Sequence, residues 1–475
     1  MISAPKTAIE EAYSAFLRAH PAYSQYAQID HLRANEYSRL DEQQHIYLDY
    51  TGGGLYADQQ ITAHMNLLRQ GVFGNPHSSN PTSMAATKLD EHARHYVLEY
   101  FNASPDEYVC IFTANASGAL KLVGESYPFA PGDHYVLTFD NHNSVNGIRE
   151  FAKAKGAQVH YVPVLPPDLR ANESVLQALL DNTEAGKRYL FAFPAQSNFS
   201  GVQHPLHWIE RAQAKGWDVL VDFAAYAPTN RVDLSRWKPD FVDLSFYKIF
   251  GYPTGIGCLI ARKSALAKLH RPWFAGGTIT MASVQGDGYY LQEGEAGFED
   301  GTINYLNIPA VEIGLKHIQN VGIDAIHERV MSLAGWLIEQ LVALRHANGK
   351  PLIRLYGPDS TQERGSTITI NFFDAEGQLF DFRRVEAEAN QHKISLRTGC
   401  FCNPGAGEVI NNLSEEDMKA CFQNEERMTF ENFLLVMDGR ASGAVRVSLG
   451  IVSNFADVYK FIEFAKSYLN RRAKG

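Results

Sequence analysis

VLVDFAA at 219–225 and FVDLSFYKIFGYPTGIGCLIA at 241–261 share one pattern. In each, a short apolar run ends in polar residues: Asp222 in the first, Ser245, Tyr247 and Lys248 in the second. The pattern extends outward in both directions. VCIFT (109–113), HYVLT (134–138), VHYVPV (159–164), YLFAF (189–193) and IGCLIA (256–261) are further apolar runs, and Ala/Glu/Leu/Lys-rich segments of helix length lie between several of them. This alternation predicts βα units in an α/β fold, with a mostly parallel sheet and helices on both faces.

Flanking this region, 85–101 carries apolar residues at 86, 89, 93, 96, 97 and 100, a helical period. IYLDY (46–50) reads as a strand leading into a TGGG turn. Residues 1–44 are polar and rich in helix formers, and are expected to form an arm that packs with the C-terminal part. Beyond 319 the order is mixed: helices over 324–347, 380–392 and 455–470, and strands in STITINFF and GAVRVSLG. The expected division is an arm (1–44), a large domain (45–318) and a smaller α+β domain (319–475). There are no internal repeats or low-complexity tracts.

The composition excludes several function classes. With 475 residues, 45% apolar and 20% charged, the chain is globular. A formal net charge of −10 argues against nucleic acid as the main partner, because phosphate backbones call for clustered Lys and Arg. Five cysteines, an odd and sparse set, do not make a disulfide framework, which suits a reducing compartment. The N-terminus has no apolar signal core, and no apolar run is long enough to span a bilayer. The expectation is a soluble cytoplasmic protein.

In open α/β sheets ligands sit beyond the carboxyl ends of the strands. Those ends are followed here by Ala-Asn-Ala-Ser-Gly (114–118), Phe-Asp-Asn-His (139–142), Pro-Ala-Gln-Ser-Asn (194–198), Asp222 and Phe-Tyr-Lys (246–248). Singly, each has an ordinary structural role: Ser117 as part of a helix start, Asp222 as an Asx turn, His142 as a satisfied histidine, Lys248 as a snorkelling side chain. Together they match the needs of one cofactor, pyridoxal 5′-phosphate (PLP). That cofactor needs a lysine amine for its aldehyde and a carboxylate facing its ring nitrogen. Lys248 and Asp222 supply these. It also needs a phosphate cradle, for which Asn115, Ala116 and Ser117 open a helix and Ser245 adds a hydroxyl. His142 is placed to stack on the ring and Asn198 to donate to its phenolic oxygen. Burial between apolar strands would lower the basicity of Lys248. No GxGxxG follows a strand in the first βα unit, which argues against a dinucleotide site.

FGNPHS (73–78), FTANAS (112–117), FPAQSNFSG (193–201), VDFAA (221–225), SFYKIFGYPTGIG (245–257), LRTGCFCNPGAG (396–407) and GAVRVSLGIVSNFADV (443–458) resemble the class V PLP enzymes, the aminotransferases and cysteine desulfurases. Within that class they are most similar to the desulfurase-like domain of molybdenum cofactor sulfurases. The resemblance runs from about Tyr47 onward. It implies a type I PLP transferase fold, PLP on Lys248 and a homodimer. Tyr247, with Ser117 and Ser245, falls at phosphate-side positions. Gly301 and Thr302 in EDGTINYL fall where relatives lend a phosphate contact across a dimer interface. Arg397 matches the arginine that holds the substrate α-carboxylate, and Cys402 the cysteine that takes up sulfur.

Cys400 and Cys402 lie in a Gly/Pro turn beside Arg397, whose positive charge suits a nucleophilic thiolate. A metal site is the poorer reading, since CxC offers two ligands and no second pair stands at metal spacing. The implied reaction converts cysteine to alanine and leaves a persulfide on Cys402, destined for a protein or cofactor acceptor. The chain ends near the 455–470 helix, so the additional domain of the eukaryotic sulfurases, which binds the molybdenum cofactor, is expected to be absent. Gly-Ala-Gly also stands where those sulfurases tend to have a further cysteine. Three other roles fit parts of the pattern: an aminotransferase, a C–S or C–N lyase that does not use Cys402, and a non-catalytic scaffold or sulfur carrier.

Overall fold

The computed structural model describes residues 6–76, 78–422 and 443–473, so His77 of the FGNPHS motif lies outside the described residues. All seven apolar runs enter one sheet. Its strands are β1 (Tyr108–Thr113), β2 (His134–Thr138), β3 (Gln158–Val162), β4 (Tyr189–Pro194), β5 (Asp218–Asp222), β6 (Phe241–Ser245) and β7 (Gly257–Arg262). The spatial order is β1-β7-β6-β5-β4-β2-β3. β7 pairs antiparallel with both β1 and β6, and the remaining pairs are parallel. The reversal follows from connection length. Only the short helix Phe246–Phe250 and a turn through Gly251, at φ +79°, join β6 to β7, whereas a parallel return needs a crossover of a dozen or more residues.

Both faces of the sheet are buried. Val219, Val221, Val242 and Leu244 belong to one core, and Leu220, Phe241, Leu259 and Ala261 to the other. That two-sided burial is why the strands read as near-continuous apolar runs. The expected run 159–164 is split at Pro163: β3 stops at Val162, and Val164–Leu165 pairs separately with Arg170–Ala171. Proline has no N–H to give to a sheet ladder.

A second sheet contains β8 (Ile353–Tyr356), β9 (Thr367–Phe372), β10 (Arg397–Gly399) and β11 (Ala444–Ser448) in the antiparallel order β8-β9-β11-β10. Helix Phe382–Gln391 packs on β10 and β11, and helix Ile323–Ala343 packs on β8 and on helix Phe455–Lys466. IYLDY joins this region and not the large sheet. Ile46–Tyr47 pairs in parallel with Ile394–Ser395, and Asp49 bridges to Ser448. That pairing carries Asp49 and the TGGG turn to the rim of the large sheet.

Residues 6–42 form several short helical pieces, including Lys6–Ala19 and Gln28–Glu36, with a break at Pro21. Buried Arg33 fastens them by reaching Asp457 at 2.5 and 3.1 Å and Asp41 at 2.8 Å. Among the described residues no helix is long and apolar enough to cross a membrane.

Candidate active site

Six strands of the large sheet run the same way, so their carboxyl ends share one rim, and a cavity of about 170 Å³ opens there. Its wall includes Asn115, Ala116, Ser117, His142, Asn198, Asp222, Ser245, Tyr247 and Lys248. Nine residues scattered over more than 130 positions thus meet at one place. Lys248 sits on the short helix after β6, and Asp222 ends β5 on the adjacent strand. Among the described residues, Lys248 Nζ makes no hydrogen bond and no ion pair. Burial pushes its amine below the usual lysine value. Asp222 opposes that shift, Arg446 adds to it, and Asp243 and Cys402 also oppose it. Lys248 and Asp222 feel one another's charge across the cavity without touching.

The anion end of the cavity is built at the start of helix Ala116–Ser126. Asn115 caps it by accepting from the Gly118 N–H at 3.0 Å, and Ser245 Oγ accepts the Ala116 N–H at 2.9 Å. The Ala116 N–H expected in a phosphate cradle is therefore already engaged. The Ser117 backbone and a pair of hydroxyls, Ser117 Oγ and Ser144 Oγ at 2.5 Å, remain at that end. Ser144, which the sequence reading did not single out, also takes the turn after β2 into the site. Its N–H donates to His142 Nδ1 at 3.1 Å and so fixes the ring's orientation. Burial lowers the basicity of His142. The Asp222 charge resists this, and those of Lys248 and Arg446 reinforce it.

Asn198 is doubly used. Its amide donates to the Phe401 carbonyl at 2.7 Å, and its Oδ1 accepts from Asn403 at 2.9 Å. Asn403 also donates to the Asp140 carbonyl at 2.6 Å, and the Cys402 carbonyl accepts the Asn143 N–H at 2.7 Å. The Phe401 ring packs on Phe199 and lies under the Arg446 guanidinium, 4.8 Å from its centroid. These ties hold Phe401 and Cys402 at φ +55° and +54°, a left-handed conformation that costs L-residues about 1–3 kcal/mol each. Cys400 and Cys402 are both exposed, as the Gly/Pro turn implies. Cys402 is not part of the cavity wall, but its charge is felt at Lys248, Arg397 and Arg446.

Arg397 stands half-exposed with Nε and Nη2 on the Asp49 carboxylate at 3.0 and 2.7 Å. Asp49 also takes Arg446 Nη2 at 3.0 Å. Arg446 is buried, and its Nη1 donates to the Asn198 carbonyl at 3.0 Å. Its Nε is buried with no partner among the described residues. The sequence held a signal for it, an arginine in the middle of the apolar strand GAVRVSLG. The TGGG turn gains a reason here too. A Cβ on Gly52 would lie 2.5 Å from the Asp49 carboxylate and 2.7 Å from Arg397.

Gly301 and Thr302 do not join this cavity. Thr302 accepts from Asn75 at 3.2 Å on an exposed surface. Among the described residues no group of three or more His, Cys, Asp or Glu side chains could hold a metal ion.

PLP fits what is present. The polar end can take an anion, and a half-buried amine with no hydrogen-bond partner among the described residues shares the cavity with a carboxylate.

The sequence matches the aminotransferase class-V family over residues 46–461. It is similar to the molybdenum cofactor sulfurase of Solanum lycopersicum, with 38% identity over 97% of this chain and 60% of that protein. With the molybdenum cofactor sulfurase of Homo sapiens it shares 36% identity over 91% of this chain and 50% of that protein. The chain thus spans about half to three-fifths of the length of these relatives. The apo structure of a cysteine desulfurase from Thermococcus onnurineus NA1 superposes with a TM-score of 0.75 at 23% identity, covering 92% of this chain and 97% of that one. On sequence, fold and site together, the chain belongs to the class V aminotransferase family of PLP enzymes.

Proposed function

We propose that this protein is a cysteine desulfurase-type sulfurtransferase that carries PLP on Lys248 and takes sulfur onto Cys402. The observation that carries the reading is the meeting of Lys248 and Asp222 in one cavity, with the Cys402 loop clamped to the wall residue Asn198. Bound there, PLP would supply an electron sink for the charge that develops when a substrate Cα–H bond breaks. Asp222 would pair with the ring nitrogen, His142 would stack on the ring, Asn198 would donate to its phenolic oxygen, and Ser117, Ser144, Ser245 and Tyr247 would hold the phosphate. Lys248 Nζ would hold the cofactor's aldehyde end and would serve as the base for the substrate Cα proton. Cys402 Sγ attacks the substrate sulfur: an S–S bond forms, the substrate Cβ–S bond breaks, and alanine leaves. Cysteine plus the Cys402 thiol thus becomes alanine plus a Cys402 persulfide, with no oxidant or reductant consumed. The persulfide sulfur then passes to a separate acceptor, a protein or a cofactor. The sulfurase relatives support sulfur transfer as the outcome.

Arg446 is the better placed of the two arginines to hold the substrate α-carboxylate, because it is buried, has an unpartnered Nε and lies in the field of Lys248 and His142. Arg397, tied to Asp49, guards the entrance. Arg446→Lys is expected to raise KM for the amino acid by about 10–100-fold with a smaller change in kcat, the scale of one or two hydrogen bonds to a charged group. Arg397→Lys should do less. Steady-state kinetics check this, and a larger KM effect from Arg397 would move the clamp there.

The working form is a homodimer in a reducing, cytoplasmic setting. Trp273, Val284 and Tyr290 are at least half exposed around the hairpin Ile279–Ala282/Tyr289–Leu291. Gly301 is tied to that segment by its N–H to the Gly276 carbonyl. An apolar surface beside Gly301–Thr302 suits a partner copy that receives those residues at its own phosphate end. Five free cysteines suit a reducing compartment. The proposed division is an arm (1–44), a large domain (45–318) and a small domain (319–475), with Ile46–Tyr47 reaching across to pair with Ile394–Ser395 of the small domain.

The deciding experiment offers the purified protein cysteine, selenocysteine, cystine and common amino donors. Alanine together with a sulfur mass increment on the Cys402 peptide supports the reading. A keto acid from an amino donor, without that increment, would make it an aminotransferase. Sulfide with pyruvate would make it a lyase.

A further inference from the structure

Asp243 is fully buried in the middle of β6, and neither of its carboxyl oxygens meets a donor among the described residues. Its neighbours explain why. It is in register with Asp222 on β5 on one side and with Leu259 on β7 on the other. Register partners present their side chains on the same face of a sheet. That face is the one carrying Leu220, Phe241 and Leu259, packed beneath Ala119, Leu120 and Val123 of helix Ala116–Ser126. A carboxyl group in such surroundings stays ionised only if donors or a cation pair with it, and among the described residues none does. The groups whose charge reaches it are Asp222 and Lys248 toward the cavity and the Cys258 thiol on β7.

We propose that Asp243 is a positioning residue for Asp222: a neutral acid that gives its one O–H to the Asp222 carboxylate and so keeps that carboxylate ionised and aimed at the cofactor ring nitrogen. Two carboxyl groups side by side form a hydrogen bond only when one of them keeps its proton. The apolar face beneath the helix keeps it on Asp243, since Asp222 opens on the cavity and already accepts the Ala224 N–H at 2.8 Å. Burial first, then the Asp222 charge, holds the Asp243 carboxyl well above its usual range, with Lys248 opposing. Asp222 thereby has two fixed donors, one from its own turn and one from the next strand, which orient it before any ligand arrives.

The inference rests on the PLP reading for its purpose but not for its first test. Infrared difference spectra of the apoprotein against Asp243→Asn should contain a protonated carboxyl band at neutral pH that the variant lacks. An ionised Asp243 in that comparison overturns the proposal whether or not PLP binds. The second test separates donor from charge. Titrating each apoprotein with PLP, Asp243→Leu, which has similar bulk and no donor, should weaken binding about tenfold or more, the scale of one hydrogen bond to a charged group. It should also shift the pH midpoint of the bound cofactor's visible band. Asp243→Asn, which restores a neutral donor, should rescue both to within a few-fold of the parent protein. Equal losses in Asn and Leu would mean that the negative charge matters, and the proposal falls. If the parent protein forms no visible band with PLP, the functional reading fails, while the infrared result still stands on its own.

Discussion

Lys248→Ala is expected to lower turnover of the amino-acid substrate by about 10³-fold or more and to leave a protein that hydride reduction cannot link covalently to PLP. The size follows from two roles that meet in one amine. Loss of a positioned acid–base group costs about 10²–10⁴-fold by itself, and the variant also loses the covalent tether that holds the cofactor between turnovers. The cavity makes the amine suited to both tasks. Burial and Arg446 push it toward its neutral, nucleophilic form, while Asp222 and Cys402 limit the shift. The sign of the pH dependence follows. As pH falls through the lowered value the amine takes a proton, and PLP capture by the apoprotein slows. The acid limb should therefore lie below the range of an ordinary lysine. The rate of PLP incorporation measured across pH checks this, and an inflection at the usual lysine value would contradict it. Borohydride reduction followed by peptide mapping reads the tether directly. A modified lysine at another position would overturn the assignment.

Cys402→Ala is expected to lower alanine formation from cysteine by at least about 10²-fold and to abolish the persulfide, while the visible PLP band remains. Removal of a nucleophile that acts as one unit with its acid–base partner has effects of this order or larger. Alanine is the appropriate replacement because it keeps the Cβ. The left-handed turn at Phe401 and Cys402 is held by backbone ties to Asn143 and Asn198 and by the Phe401 ring, none of which uses the thiol. Loss of function then reports the sulfur atom and not a collapsed loop. Cys400→Ala is the control on the neighbouring exposed thiol. If Cys400→Ala abolishes the persulfide and Cys402→Ala does not, the sulfur carrier is the other cysteine of the pair. If neither changes turnover, the enzyme works without a cysteine nucleophile.

Particular residues explain why the large sheet was readable and the arginine site was not. β2 and β6 coincide with the apolar runs HYVLT and FVDLS, since a strand buried on both faces must be apolar throughout. Boundaries moved where one residue's chemistry intervened, as at Pro163. Lys248, Asp222, His142 and Asn198 were legible because each follows an apolar run, and parallel strands bring all such ends to one rim. Ser144 and Arg446 went unnoticed. Ser144 lies two residues past His142, inside a short helix, and Arg446 lies within a strand of the other sheet. Nothing local marks Ser144 as facing the cavity, and the charge inside the apolar strand around Arg446 does not say which site it joins. The helix Pro309–Val321 also escaped notice, separated from Ile323–Ala343 only by Gly322 at φ +89°.

The order of apolar runs and the polar residues behind them determined, without coordinates, an α/β sheet with a lysine and a carboxylate on neighbouring strand ends. Periodicity and strand-end position are local properties, and local sequence carries them. Which charges touch was decided only by tertiary structure. Asp49 meets Arg397 across 348 residues and Arg446 across 397, and Asp243 lies beside Asp222 through strand register. Contacts of that kind depend on how two sheets pack and how adjacent strands align, and no spacing along the chain encodes them.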